Sequence, residues 1–234
     1  MNRPAIFLDR DGVLNSMVLN PATGRMESPL TPADFQLFHG VMPALRRLQK
    51  AGYLLILASN QPNYALGKTS YETHKTIHQA LVNALVFAEI HFVRFSYCLH
   101  HPRGLTPGYS HACECRKPSP GLLLQARDDF SLTLADSWMI GDQPTDTQCG
   151  RAAGTRTIRI VGSGSGVRSV VDAPDSCADY FARDLTEAVD VILGAAARQA
   201  THTPSLSHDA GVDLVPHGPR IVMKHLHGLQ RILL

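Results

Sequence analysis

The chain is poor in net charge. Twenty-two Lys and Arg against 20 Asp and Glu leave +2 over 234 residues, too little to hold a nucleic-acid backbone or an anionic membrane by charge. It also has no apolar run near the roughly 18 to 20 residues that a membrane-crossing helix needs. The first residues, MNRPAIFLDRDG, lack the pattern of a secretory leader, because their apolar stretch is short and meets charge at once. The cytosol is therefore the expected compartment. Five cysteines do not make a disulfide framework in a chain of this size, and three of them cluster with His100, which in a reducing compartment points to metal. No internal repeat is visible. What remains is a composition of 44% apolar and 18% charged residues, that of a soluble globular protein long enough for one domain with a large core and an appendage.

Short apolar runs alternate with helix-like segments. The strand candidates are Ala5 to Leu8, Tyr53 to Ala58, Phe92 to Tyr97, Trp138 to Ile140 and Arg156 to Val161. Helical spacing marks the run from Val41 to Leu48, with Gly52 as its stop, and the stripe Tyr71, Ile77, Leu81, Val82, Leu85 and Val86. Ser119 to Phe130 and Pro144 to Ala153 supply two more helices. This βαβ rhythm predicts an α/β fold, a parallel sheet with helices on both faces. No sizeable cap domain is evident between the early strands. The pattern holds over residues 1–194 and breaks down in a tail, 195–234.

In parallel sheets, ligands collect beyond the carboxyl ends of the strands. Asp9 follows the first strand, Ser59 the second and Asp142 the fourth, so all three are expected on one rim, and Lys117 can reach it from the connection after the third. Asp9 and Asp11 alone read equally as a solvated Asp-Gly turn or as a carboxylate pair that would repel unless a cation lay between them. Taken in order, Asp9-x-Asp11-Gly12, Ser59-Asn60-Gln61, Lys117-Pro118 and Gly141-Asp142 with Asp146 resemble the haloacid-dehalogenase-type phosphatases over residues 1 to about 194.

That resemblance implies a phosphomonoester hydrolase. Mg²⁺ would be held by Asp9, the main-chain carbonyl of Asp11 and Asp142, because it prefers hard oxygen ligands. Asp9 would be the nucleophile and Asp11 the proton donor and acceptor. Ser59 and Lys117 would hold the transferring phosphoryl group, with Asn60 and Gln61 facing substrate and Asp146 supporting the metal shell from behind. The expected partner is a small phosphorylated molecule, and the chain is expected to act as a monomer. An inactive fold kept as a binding module is the competing class, and the five intact residues Asp9, Asp11, Ser59, Lys117 and Asp142 speak against it.

Cys98-x-His100 and Cys113-x-Cys115 form two chelating pairs, fifteen residues apart from first Cys to first Cys. Three thiolates and an imidazole fit a closed tetrahedral Zn²⁺ site, which is structural because no ligand position is left open. Such a site would fix residues 99–116, a stretch rich in Gly, Pro and polar groups, and aim Arg116 and Lys117 at the rim. The pattern resembles the branch of the family that holds heptose-bisphosphate and histidinol-phosphate phosphatases, and the long spacer is similar to the heptose side. There the Arg before the Lys helps recognise substrate, and Arg116 occupies that place. The product would feed nucleotide-activated heptose for a surface polysaccharide.

Three stretches depart from that pattern. Where the family has Thr-Asn-Gln-Ser-Gly this chain has Ser59-Asn60-Gln61-Pro62-Asn63-Tyr64, its Gly-Asp-Lys is Gly141-Asp142-Gln143, and Ser16 to Pro29 does not match the usual substrate-facing loop. In the tail, His202, His208, His217, His225 and His227 show no metal-type spacing. Its end, Ile221 to Leu234, is apolar and basic enough for a short amphipathic docking helix, with disorder as the alternative.

Overall fold

The computed structural model describes residues 3–21, 23–162 and 177–201. In chain order it comprises β1 (Ala5–Leu8), a hairpin of β2 (Val18–Asn20) and β3 (Arg25–Glu27), α1 (Val41–Lys50), β4 (Leu54–Asn60), α2 (Tyr71–Phe87), β5 (Phe92–Cys98), α3 (Gly121–Phe130), β6 (Trp138–Gly141), α4 (Pro144–Ala153), β7 (Arg156–Ile160), β8 (Tyr180–Ala182) and α5 (Leu185–Thr201). Six strands make one sheet in the order β5-β4-β1-β6-β7-β8, every neighbour pair parallel.

β1 shows why the sheet takes two covering layers. All four of its residues are buried; Ile6 and Leu8 pack into the core under α1, α2 and α5, while Ala5 and Phe7 pack into the core under α3. A strand buried on both faces must be apolar at every position rather than at alternate ones, and Ala-Ile-Phe-Leu is. α1 buries Val41, Ala44, Leu45 and Leu48, the i, i+3, i+4, i+7 stripe of a helix lying on a sheet. Truncating a core side chain such as Leu8 to alanine would cost about 2 to 5 kcal/mol.

Strand register sets the rim. Leu8 pairs with Leu57 on one side and Ile140 on the other, and the Asp9 amide continues the ladder by donating to the Ile140 carbonyl at 2.9 Å. Asp9, Ser59 and Asp142 thereby arrive at one edge, as the sequence predicts. β2 and β3, which fall inside the Ser16 to Pro29 stretch, and β8 were not expected. Each has only three residues, and β2 and β3 bury none of them, so they leave no periodic signal. α5 carries helix to Thr201, beyond Gly194. The tail histidines and the Ile221 to Leu234 segment lie outside the described residues. Among the described residues no helix is long and apolar enough to cross a membrane.

Candidate active site

Asp9, Asp142 and Asp146 bring one carboxylate oxygen each within 4.8 Å of one another, all three residues buried. One ammonium faces them. Lys117 Nζ lies 3.0 Å from Asp9 Oδ1 and 2.6 Å from Asp146 Oδ1, and donates to the Ala58 carbonyl at 2.7 Å. Burial pushes Asp9 up to about 6, with Lys117 pulling the other way and Asp146 and Asp11 adding to the rise. Burial, then Asp146 and Asp9, raise Asp142 well above the usual carboxylate range. Burial opposes the charge on Lys117, but Asp146 and Asp9 more than offset it and raise its pKa. Three buried carboxylates against one ammonium are short of positive charge, and an all-oxygen donor set of this kind suits Mg²⁺.

Two glycines let the carboxylates approach. Gly12 has φ +79°, and a Cβ there would lie 2.5 Å from the Asp142 carboxylate carbon. A Cβ on Gly141 would overlap the Asp146 side chain. Asp146 stands in the first turn of α4, where its Oδ2 accepts the Gln143 amide at 2.9 Å. Its Oδ1 lies buried against Lys117 Nζ, and the carboxylate stands within reach of an ion shared with Asp9 and Asp142. Gln143, where the family has Lys, donates from Nε2 to Asp142 Oδ2 at 2.7 Å. Arg159 on β7, itself buried, donates from Nε to the Asp142 carbonyl at 2.7 Å.

Asp11 lies in a different environment. Its Oδ1 accepts from Arg10 Nε at 3.1 Å and Asn15 Nδ2 at 2.8 Å; its Oδ2 accepts from Arg10 Nη2 at 3.2 Å and Gln61 Nε2 at 2.6 Å. Burial alone would raise this carboxyl, but the Arg10 charge and the hydrogen bonds from Arg10, Gln61 and Asn15 bring it below the ordinary value. Sequence reasoning missed Arg10, Asn15 and Arg159. Arg10 is 1% exposed, and a cation between two aspartates in an Asp-Gly turn reads as solvated; only the immediately preceding buried strand hints otherwise.

Beside the carboxylates opens a cavity of about 600 Å³. It is lined by the carboxylates and Lys117, by Gln143, by Asn60, Pro62 and Asn63 after β4, by Arg116, and by Arg25, Met26 and Glu27 of the hairpin. The hairpin is tied to the loop after β4 by the Lys68–Glu27 ion pair at 2.7 Å. Asn60 reaches the cavity but also clamps Lys117, donating to its carbonyl at 3.0 Å and accepting from its amide at 3.1 Å. Ser59 is buried beside Asp9, and Gln61 turns inward rather than to the cavity.

The four predicted zinc ligands come together at the end of β5. Cys98 Sγ is 3.5 Å from Cys113 Sγ, Cys113 Sγ is 3.1 Å from Cys115 Sγ, and His100 Nδ1 is 3.3 Å from Cys115 Sγ. Donors around a tetrahedral ion bound at about 2.0 to 2.3 Å lie roughly 3.3 to 3.8 Å apart, so the four atoms are gathered closely enough to share one ion, with Cys113 and Cys115 slightly inside that range. Asn60 pairs with Cys98 in the sheet, so the cluster hangs next to the site. His100 stacks on Tyr109, which meets Tyr64 edge to face, and Thr106 donates to the Tyr64 carbonyl at 2.8 Å. Tyr64, part of the departed loop, is therefore a seat for the 99–116 loop. Arg116 donates from Nη1 to the His100 carbonyl at 3.2 Å and projects into the cavity.

The HAD-hydrolase-like family model matches residues 114–188. The D-glycero-beta-D-manno-heptose-1,7-bisphosphate 7-phosphatase of Salmonella typhi is 33% identical over 184 residues, 79% of this chain and 92% of that protein. Its counterpart in Vibrio cholerae is 38% identical over 164 residues, 70% and 84% of the two chains. Among solved structures, the D,D-heptose 1,7-bisphosphate phosphatase from B. bronchiseptica, complexed with magnesium and phosphate, superposes with a TM-score of 0.67 at 25% identity, covering 82% of this chain and 99% of that one. The chain belongs to the haloacid-dehalogenase-like hydrolase family.

Proposed function

We propose that this chain is a phosphomonoesterase that removes the 7-phosphate of D-glycero-beta-D-manno-heptose 1,7-bisphosphate through an aspartyl-phosphate on Asp9. The observation that carries the reading is the buried Asp9–Asp142–Asp146 cluster with Lys117, opening on a cavity that Arg116 also lines. The substrate assignment is drawn from the relatives, which carry that name.

Asp9, the Asp11 carbonyl and Asp142 would hold Mg²⁺, which when bound neutralises the charge that would otherwise keep a phosphate dianion from an aspartate nucleophile. An Asp9 oxygen attacks phosphorus, the bond to the ester oxygen breaks, and that oxygen takes a proton from Asp11. A water then attacks the phosphorus, gives its proton back to Asp11, and releases inorganic phosphate from Asp9. Ser59 and Lys117 stand beside Asp9, where charge on the transferring group must be met. Arg116 offers a planar guanidinium to the sugar oxygens or the second phosphate. Cys98, His100, Cys113 and Cys115 would hold a structural Zn²⁺ that fixes the loop carrying Arg116.

The test is phosphate release in the presence of Mg²⁺ from the heptose bisphosphate and from histidinol phosphate, for the wild type and Asp9→Asn. Faster release from the heptose bisphosphate, abolished in Asp9→Asn, is expected. Preference for histidinol phosphate would overturn the substrate, and no release from either or from a panel of phosphomonoesters would overturn the activity.

A further inference from the structure

We propose that Gln61 is a positioning residue for the acid–base carboxylate rather than a contact for substrate. The inference rests on the reading of Asp11 as proton donor and acceptor. Gln61 follows β4 directly, is 4% exposed, and is not among the residues lining the cavity. Both donor directions of its amide are used within the protein: Nε2 donates to Asp11 Oδ2 at 2.6 Å and to Ser59 Oγ at 3.0 Å. Its Oε1 accepts from Arg10 Nη2 at 2.8 Å. Its backbone amide donates to the Cys98 carbonyl at 2.8 Å, which fixes it to the end of β5. No N–H of the side chain remains for a sugar hydroxyl.

The consequence falls on Asp11. A carboxylate offers about four lone-pair sites, and four donors meet them here, two from Arg10, one from Asn15 and one from Gln61, so Asp11 takes up its proton by giving up one of these donors. Arg10 spans both oxygens, and Gln61 holds Oδ2 and the far end of Arg10 together. It also links Asp11 to Ser59, so one amide sets the distance between the proton carrier and the residue beside the nucleophile. Proton transfer needs the carboxyl within roughly 2.6 to 3.2 Å of the ester oxygen, and a misplacement of about 1 Å costs on the order of 10²-fold in rate. Without Gln61, Arg10 loses an acceptor and Asp11 Oδ2 keeps only the longer 3.2 Å contact to Arg10 Nη2, so this oxygen is held more loosely.

Leaving groups separate this role from substrate contact and from general damage. When the ester bond breaks, the departing oxygen takes the Asp11 proton; an oxygen already stable as an anion does not need it. The probes are phenyl, 4-nitrophenyl and 2,4-dinitrophenyl phosphate, read as kcat/KM, which reports the step that phosphorylates Asp9. Gln61→Met removes the whole clamp. Gln61→Leu removes both donors and the acceptor without adding charge, and serves if the first variant does not fold. Asp11→Asn calibrates the series. A loss of about 30-fold for phenyl phosphate against less than about threefold for 2,4-dinitrophenyl phosphate is expected in the Gln61 variants, parallel to a steeper trend in Asp11→Asn. A uniform loss across the three esters, with Asp11→Asn still steep, would overturn the inference alone. A flat series in Asp11→Asn would overturn the acid role of Asp11 and this inference with it.

Discussion

Gly12 holds φ +79° with the Asp142 carboxylate packed against its α-carbon. Gly12→Ala therefore carries two costs: about 1 to 2 kcal/mol for an L-residue in the left-handed region, and displacement of Asp142. Weaker Mg²⁺ activation of phosphate release is expected, with at least about a tenfold rise in the Mg²⁺ concentration needed; unchanged Mg²⁺ dependence would show that Asp142 tolerates the shift. The roles of these residues were unequally visible in the sequence. Asp9, Asp11 and Asp142 could be placed because each follows an apolar run that could only be a buried strand. Arg10 and the inward turn of Gln61 could not, because side-chain direction in a loop follows no period and is fixed here by partners distant in the chain. Asn60, legible as a strand-end polar residue, has a second place in the structure as the clamp on the Lys117 backbone.

Among the elements, the β2–β3 hairpin lines the cavity with Arg25, Met26 and Glu27, and the 99–116 loop reaches it through Arg116. The loop's ligand spacing was legible because metal chemistry dictates it; the hairpin was not, because two three-residue strands carry no pattern and the Lys68–Glu27 tie spans distant positions. Residues 99–116 do have packing of their own, Tyr109 on Tyr64 and His100, but the Arg116 anchor is the carbonyl of His100, a predicted zinc ligand. Cys113→Ser should abolish stoichiometric zinc by mass spectrometry and raise KM for the heptose bisphosphate by about tenfold or more, with a smaller change in kcat. Loss of zinc with KM unchanged would detach the cluster from substrate binding.

On the scale of the whole molecule, the parallel sheet was legible from its buried runs, since a strand covered on both faces must be continuously apolar. The order β5-β4-β1-β6-β7-β8 places β1 at the centre, so the first strand delivers Asp9 between β4 and β6. One global property belongs to α2. His74, 7% exposed and packed edge to face on Tyr97, is held down to about 4, first by burial and then by the charges of Arg10 and His78. The unfolded chain takes up that proton near the ordinary value of 6.5, so His74 leaves stability intact above that pH and withdraws it as pH falls from there towards 4. Other groups titrate in the same range, and the comparison with His74→Gln isolates this one. Between pH 7.5 and 5, urea unfolding of the wild type should lose roughly 2 kcal/mol more than that of the variant; equal losses would mean that His74 is not held neutral.

The covalent transfer proposed for Asp9 is open to direct chemical trapping. Mixing the Mg²⁺-loaded protein with heptose bisphosphate, quenching in acid within milliseconds and reducing with borohydride should convert a fraction of the Asp9 side chains to homoserine, detectable by peptide mass spectrometry. The modification should be absent in Asp9→Asn and in protein never exposed to substrate. Active protein that releases phosphate yet shows no reduced side chain at position 9, or shows it at another carboxylate, would contradict the nucleophile assigned here.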